Sequence, residues 1–296
     1  YALDANTTGD FNTAVGMHAL GANTTADNNT AVGKDALAAN TTGTLNTAVG
    51  AVALDALTTG DYNTAVGGAA LGQATDGDYN TAFGYAAGAA ITTGVQNVLI
   101  GGESGDALTD ADFNVGIGTS ALGSDTKGNR NVAIGHGSLV TQNFTSSTSV
   151  YNTAVGYNAG NAVTTGVSNT FVGGLAGDGT DDGALNVAVG ASALSANCAN
   201  SNTAVGVTAL VVTTGANNTA LGYQAGASVT SGSNNLFVGK DAGLTGSPGG
   251  AITTGSNEIV LGDENISEAH IQVDWTVASD ARDKTDFTVL DLGLDF

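Results

Sequence analysis

The pentapeptide Asn-Thr-Ala-Val-Gly begins at Asn12 and returns, with variation, at Asn29, Asn46, Asn63, Asn80, Asn97, Asn114, Asn131, Asn152, Asn169, Asn186, Asn202, Asn218 and Asn235. The spacing is 17 residues without interruption as far as Asn131, then 21, 17, 17, 16, 16 and 17, and a degenerate fifteenth copy, Asn-Glu-Ile-Val-Leu-Gly, starts at Asn257. Each copy runs on through two variable residues, Ala-Leu and a polar Thr-Thr-Gly turn. Such a repeat is too short for a strand, crossover helix and second strand, which together need about 30 residues. Helical repeats are longer still. What remains is an all-β, parallel β-solenoid in which each coil lays a short strand beside the equivalent strand of the next, about 4.8 Å further on. Roughly 15 coils make a rod on the order of 70 Å long.

The fourth position of the motif is always apolar, from Val15 through Phe83 and Ile100 to Leu221 and Val238, and the second is mostly Thr or its near-isostere Val. Period-two alternation puts these two positions on one face, and they are expected to point into the coil. The intervening Ala then lines a second crowded surface. Recurrent Asn at one corner predicts a ladder of stacked amides, and the Gly after the strand marks a bend or a positive φ.

A slower rhythm overlies the first. Where Tyr85, Tyr157 and Tyr223 occupy the sixth position, the usual Leu becomes Gly (Gly88, Gly160, Gly226). In the next coil the middle Ala becomes Leu99, Phe171 or Phe237, and the Leu is again Gly (Gly105, Gly177, Gly243). Large residues appear where others vanish, which predicts volume compensation between stacked coils rather than a functional aromatic site.

Composition narrows the class. Of 296 residues 45 are Gly, 11% are charged and 5% aromatic, yet 42% are hydrophobic, too apolar for disorder and without a collagen period. A net charge of -21 disfavours nucleic acid and anionic membranes as partners. No apolar run approaches the roughly 18 residues of a membrane span, and with neither initiator Met nor signal peptide a mature piece or a fragment is expected. The single cysteine, Cys198, is expected to be a small buried hydrophobe. His18, His136 and His270 are far apart along the rod and give no zinc spacing, and no cofactor is expected. A thin coil of small residues buries little apolar area and leaves one surface bare, so side-by-side association, as a homotrimer, is expected.

Three surface features are candidates for contact. Acidic residues recur two before the Asn, and adjacent coils place Asp61 and Asp78 about 5 Å apart, where a divalent cation could bridge them; Asp as a solvated turn former is the favoured reading. One before the Asn stand Phe11, Tyr62, Tyr79, Phe113 and Tyr151. Tyr62 and Tyr79 are candidates for stacking on sugars or for packing between chains. The segment Thr141–Val150 holds the four-residue insertion and should protrude as a contact loop.

The repeat, and especially Asn-Val-Ala-Ile-Gly-His-Gly-Ser at Asn131 to Ser138, resembles the repeats of trimeric autotransporter adhesin heads, which recur in bacteriophage tail fibres. Over residues 1–262 the resemblance implies a left-handed β-roll packed as a homotrimer. After it, Ile271, Val273, Trp275 and Val277 alternate with polar residues and predict a terminal strand within 263–278. The stretch Ser279-Asp280-x-Arg282-x-Lys284-Thr285-Asp286, with Leu292 to Phe296 following, is similar to the start of the endosialidase-type intramolecular chaperone, truncated here to 279–296. That resemblance implies autocleavage at the Ser279–Asp280 bond, with Ser279 as nucleophile and Lys284 as the base that takes its proton once burial lowers its pKa. Asp283 and Phe287 depart from the family pattern.

Together these features lead to the expectation of a phage tail-fibre shaft or tip: extracellular, part of the virion, and not an enzyme beyond one turnover of self-cleavage. Its expected partners are two identical chains, other tail or fibre proteins and a host-surface receptor, glycans included, with no nucleic acid and no membrane insertion. The alternative is the head of a bacterial surface trimeric autotransporter adhesin. Ranked below both is an ice-binding solenoid, because flat ice faces need outward Thr-x-Thr rows and Thr13-Ala14-Val15 pairs Thr with Val.

Overall fold

The structure is a computed structural model, and residues 1–268 and 270 are described. Tyr1–Glu264 forms one compact unit and Asn265–Phe296 another. The elements of the first are β1 (Thr13–Val15), β2 (Thr30–Val32), β3 (Thr47–Val49), β4 (Thr64–Val66), β5 (Thr81–Phe83), β6 (Val98–Ile100), β7 (Val115–Ile117), β8 (Gly128–Asn129), β9 (Val132–Ile134), β10 (Thr148–Ser149), β11 (Thr153–Val155), β12 (Thr170–Val172), β13 (Val187–Val189), β14 (Thr203–Val205), β15 (Thr219–Leu221), β16 (Leu236–Val238) and β17 (Ile259–Leu261). Fifteen of these pair in sequence order into one parallel sheet, while β8 and β10 make a separate two-stranded sheet. No helix occurs among the described residues.

This is the parallel β-solenoid that the 17-residue period predicts. Thr13 pairs with Thr30 and Thr30 with Thr47, and the 21-residue spacing is absorbed with Val132 still opposite Thr153. One expectation shifts. Leu236 pairs with Ile259, so the last coil is read one residue later than its Asn257, and Glu258 holds the place that Asn has elsewhere.

The direction of the strand side chains is the reverse of the expected one. Ala31, Ala48, Ala65, Ala82 and Ala133 in the middle of each strand are fully buried, whereas Val15, Val49, Phe83 and Leu221 are exposed. Parity explains the reversal. Alternation along the strand puts the motif's Asn and Ala on one face and its Thr and Val on the other. The amides decide which face turns inward, because they can satisfy themselves there. Asn46 donates its N–H to Asn29 Oδ1 at 2.9 Å and its Nδ2 to Gly60 O at 2.7 Å, and its own Oδ1 accepts the N–H of Asn63 at 2.9 Å. An amide with its bonds made is buried without the desolvation cost of an unpaired one. The expected ladder of amides therefore runs from Asn12 to Asn235 and turns into the coil.

The coil closes where the strand ends. Gly33 sits at φ +141, and a Cβ there would lie 2.3 Å from Gly50 O of the next coil. Only glycine permits both the backbone angle and the stacking. Leu20, Leu37, Leu54 and Leu71 fill the space facing the strand, fully buried.

The volume exchange is real, but the tyrosines are not part of it. A Cβ on Gly177 would stand 2.5 Å from Phe171 Cδ1, and one on Gly160 2.9 Å from Phe171 Cδ2. Two glycines in adjacent coils thus vacate the room that one large middle residue takes, and the same holds for Leu99 between Gly88 and Gly105 and for Phe237 between Gly226 and Gly243. Tyr85, Tyr157 and Tyr223 lie outside this core, exposed at 67%, 58% and 49%.

Cys198 is buried, as expected. Its thiol is pushed up by that burial, with Thr180 Oγ1 at 3.3 Å.

Candidate functional site

The sheet presents three outward columns. The strand's first and third residues make two, and the residue just before each ladder Asn makes the third. That residue has a left-handed backbone in every coil, including Phe11 (φ 59), Tyr62 (φ 59), Tyr79 (φ 58), Arg130 (φ 64) and Tyr151 (φ 57). Its side chain lies beside the strand's outer face: near the end of the solenoid Asn217, Asn234 and Asn257 line one groove of about 350 Å³ with Thr219, Leu236 and Ile259.

Across all three columns Arg130 is the sole charged side chain. Exposed apolar groups run from Phe11 and Val15 through Leu45, Tyr62, Phe83 and Tyr151 to Leu185, Leu221 and Ile259. In a chain of net charge -21 this face carries one positive charge and no acidic side chain, and the acidic excess is carried elsewhere. Soluble monomers rarely expose apolar patches beyond a few hundred Å².

Tyr62 and Tyr79 stack with ring centroids 4.8 Å apart and planes 5° from parallel. Each ring covers part of its neighbour's face, which leaves less of that face for a sugar. Arg130 is sandwiched, its guanidinium carbon 5.1 Å from the Phe113 centroid and 5.9 Å from that of Tyr151, and it donates to Ser149 Oγ at 2.7 Å.

Asp61 and Asp78 each spend an oxygen on the backbone of the preceding coil. Asp78 Oδ1 accepts the N–H of Asp61 at 2.7 Å, and Asp61 Oδ1 accepts from Thr44 N at 2.6 Å and Thr44 Oγ1 at 3.0 Å. Asn129, Asn200, Ser233 and Ser256 do the same work in other coils, so the column selects a short acceptor, not a charge. Among the described residues no three His, Cys, Asp or Glu side chains converge on a point that could hold a metal.

The insertion is pinned rather than free. Gln142, Phe144 and Val150 are buried, leaving Thr141, Asn143, Thr145 to Ser147 and Ser149 in solvent. The anchor is Asp125, fully buried, whose carboxylate accepts from Gly128 N at 3.0 Å, Phe144 N at 3.1 Å and Gln142 Nε2 at 2.5 Å. The sequence signals for Asp125 and Arg130 were available: each is a charge at a repeat position that is otherwise uncharged. His18 binds Asp35 Oδ1 at 3.0 Å and His136 stacks on Tyr157, far apart in the solenoid. Ser279, Asp280 and Lys284, like Trp275, lie outside the described residues.

No family model matches the chain, and no curated protein or solved structure matches it.

Proposed function

We propose that this chain is a structural and adhesive fibre segment, a shaft or tip of a phage tail fibre, that works as a homotrimer and brings a receptor-contacting surface to a host cell. The observation that carries this reading is the nearly charge-free face: Val, Ile, Leu and Phe side chains point outward in register over fifteen strands, some exposed and the rest half-buried, with Arg130 the one charge beside them. Burying it against copies of itself would remove apolar area worth about 25 cal/mol per Å², while the acidic faces stay in water and keep the rod soluble. In this reading the C-terminal segment assists trimerisation and is then severed at Ser279–Asp280, with Ser279 as nucleophile and Lys284 as base.

Multi-angle light scattering tests it. Three times the chain mass is expected, falling to one after Val66→Asp with Ile134→Asp, which places two charges on the face. A stable wild-type monomer overturns the reading. Intact mass of a chain carrying its full C-terminal continuation tests the cleavage: wild type should be cut after Ser279 and Ser279→Ala should not.

One observation favours a second reading. The strand's Thr residues point outward, so one row of hydroxyls faces outward as an ice-binding face requires, although the row beside it is Val rather than a second Thr. The row is interrupted by Val98, Val115, Val132, Val187, Leu236 and Ile259, which ranks it below the fibre. Thermal hysteresis of the purified protein decides it.

A further inference from the structure

Core exchange accounts for the paired glycines and for Leu99, Phe171 and Phe237, but it leaves Tyr85, Tyr157 and Tyr223 unexplained. They recur at the same place in the coil, just past the strand-ending glycine, in every fourth coil, and so stand about 19 Å apart along the rod. None is among the buried core residues, and each is at least half exposed or nearly so. An unpaired tyrosine on a surface is ordinary; three at a fixed interval on a repeat that otherwise places Met, Lys, Ala, Gly, Thr, His or Val there are not.

The neighbouring coils say which side of each ring is open. Toward the preceding coil each ring lies close to its neighbour: a Cβ on Gly68 would lie 3.7 Å from Tyr85 Cδ2, and His136 stacks on Tyr157 with centroids 5.6 Å apart. On the following side stand Gly102 and Gly174, and a Cβ on either would meet nothing within 4 Å. Neither glycine has a left-handed backbone, so the chain's conformation does not require glycine there. Their effect is to leave the tyrosine ring bare toward the next coil. At Tyr223 the following residue is Lys240, drawn onto Asp241 at 2.8 Å.

We propose that Tyr85 and Tyr157, with Tyr223 as a third and more crowded member, are stacking platforms for a neutral saccharide chain. The rings offer an apolar face with a negative quadrupole and a hydroxyl at the edge, which suits the C–H face of a pyranose. The charge next to each notch differs, Glu103 beside Gly102 but Leu175 beside Gly174, so the element the sites share is uncharged. A polyanion is disfavoured by the rod's own charge of -21. Weak single contacts at a regular interval become useful through multivalency, since a chain that reaches two platforms binds the second at high effective concentration. The proposal deepens the host-attachment reading and rests on it for its biological sense, not for its test.

The probe is an array of neutral oligosaccharides of increasing length, with sialylated and sulfated chains and a choline conjugate on the same surface. Wild type should retain a subset of the neutral chains, long ones better than short. Tyr85→Ala with Tyr157→Ala should lose retention by on the order of a hundredfold. Gly102→Leu with Gly174→Leu should lose it equally, because the added side chains cover the ring faces without touching the core. Circular dichroism melting checks that both variants fold. Retention of none of the neutral chains, retention of only anionic or choline probes, or full retention by the folded Gly→Leu variant overturns the proposal. Light scattering on the same sample separates the two readings: a monomer that binds sugars sinks the fibre trimer alone, and a trimer that binds none sinks the platforms alone.

Discussion

Gln142 Nε2 donates to a carboxylate oxygen of Asp125 at 2.5 Å, both side chains fully buried. The same carboxylate receives the backbone N–H groups of Gly128 and Phe144, so one acidic residue in the seventh coil holds the four-residue insertion of the next coil in place. Asp125→Ala leaves those three donors without an acceptor, at about 1–3 kcal/mol for each one that water cannot reach. The loss should be local. Limited proteolysis is expected to cut the variant within 143–149 while the remaining coils resist, and an uncut variant would show that Phe144 and Val150 suffice as anchors.

Phe171 with Gly160 and Gly177 gives a second test. Gly177→Leu alone should destabilise by about 1–3 kcal/mol through overpacking, since even its Cβ would lie 2.5 Å from Phe171 Cδ1. Phe171→Ala alone should cost about 3–5 kcal/mol through the cavity it leaves. The triple variant Phe171→Ala, Gly160→Leu, Gly177→Leu rebuilds the ordinary coil, in which Leu139 and Leu194 already tolerate φ 49 and φ 53. Its loss, read from denaturant melts, should be well below the sum of the single changes; additivity would mean that the three sites do not share one space.

The contrast between these sites marks how far the sequence could be read. The solenoid follows from the spacing of the Asn residues, and the exchange around Phe171 from side-chain volumes alone. Strand direction was harder. Thr-Ala-Val names two apolar sets, Ala on one face and Val on the other, and hydrophobicity alone favours turning Val inward. What reverses it is the bond set of the neighbouring Asn, which only the stacked coils supply. Tyr85 travels with Gly88 in sequence as if it belonged to the core exchange, and only its exposure separates them. Arg130 and Asp125 are legible as charges in uncharged columns, yet the partners that give them meaning lie in the next coil, Gln142 within the insertion and Tyr151 just after it.

Asn63 tests the ladder itself. It donates its amide to Gly77 O at 2.7 Å and accepts the N–H of Asn80 at 2.9 Å. Asn63→Ala strands both partners, at about 1–3 kcal/mol each. Asn63→Asp should be worse at neutral pH, because a carboxylate oxygen then faces the Gly77 carbonyl in a site from which water is excluded. Acid should reverse the order, since a protonated Asp can donate again. Melting curves for the two variants at pH 7 and pH 4 check this, and an Asp variant that stays below the Ala variant at pH 4 would contradict it.

Asp55 and Asp106 occupy the same place three coils apart, and burial raises the pKa of both above the ordinary carboxylate value, with Asp35 adding to the shift at Asp55 and Glu103 at Asp106. A carboxyl with a raised folded-state pKa stabilises the native state when protonated. That contribution is fully present below the unfolded value of about 3.9 and is lost as pH rises through the folded pKa. The Lys34 hydrogen bond lowers Asp35 and so acts in the opposite sense, lost as pH falls; its pair with Lys34 is exposed, and such pairs contribute little. At pH 7 the two half-buried carboxylates are therefore a small liability. Asp55→Asn with Asp106→Asn should raise the melting temperature at pH 7, by less than about 1 kcal/mol in stability given the solvent screening at half-exposed sites. The gain should shrink toward pH 4, where the wild-type carboxyls become neutral themselves. Melts of both proteins across pH 4 to 8 measure it, and a gain that grows on acidification would mean that the carboxylates are stabilising as anions.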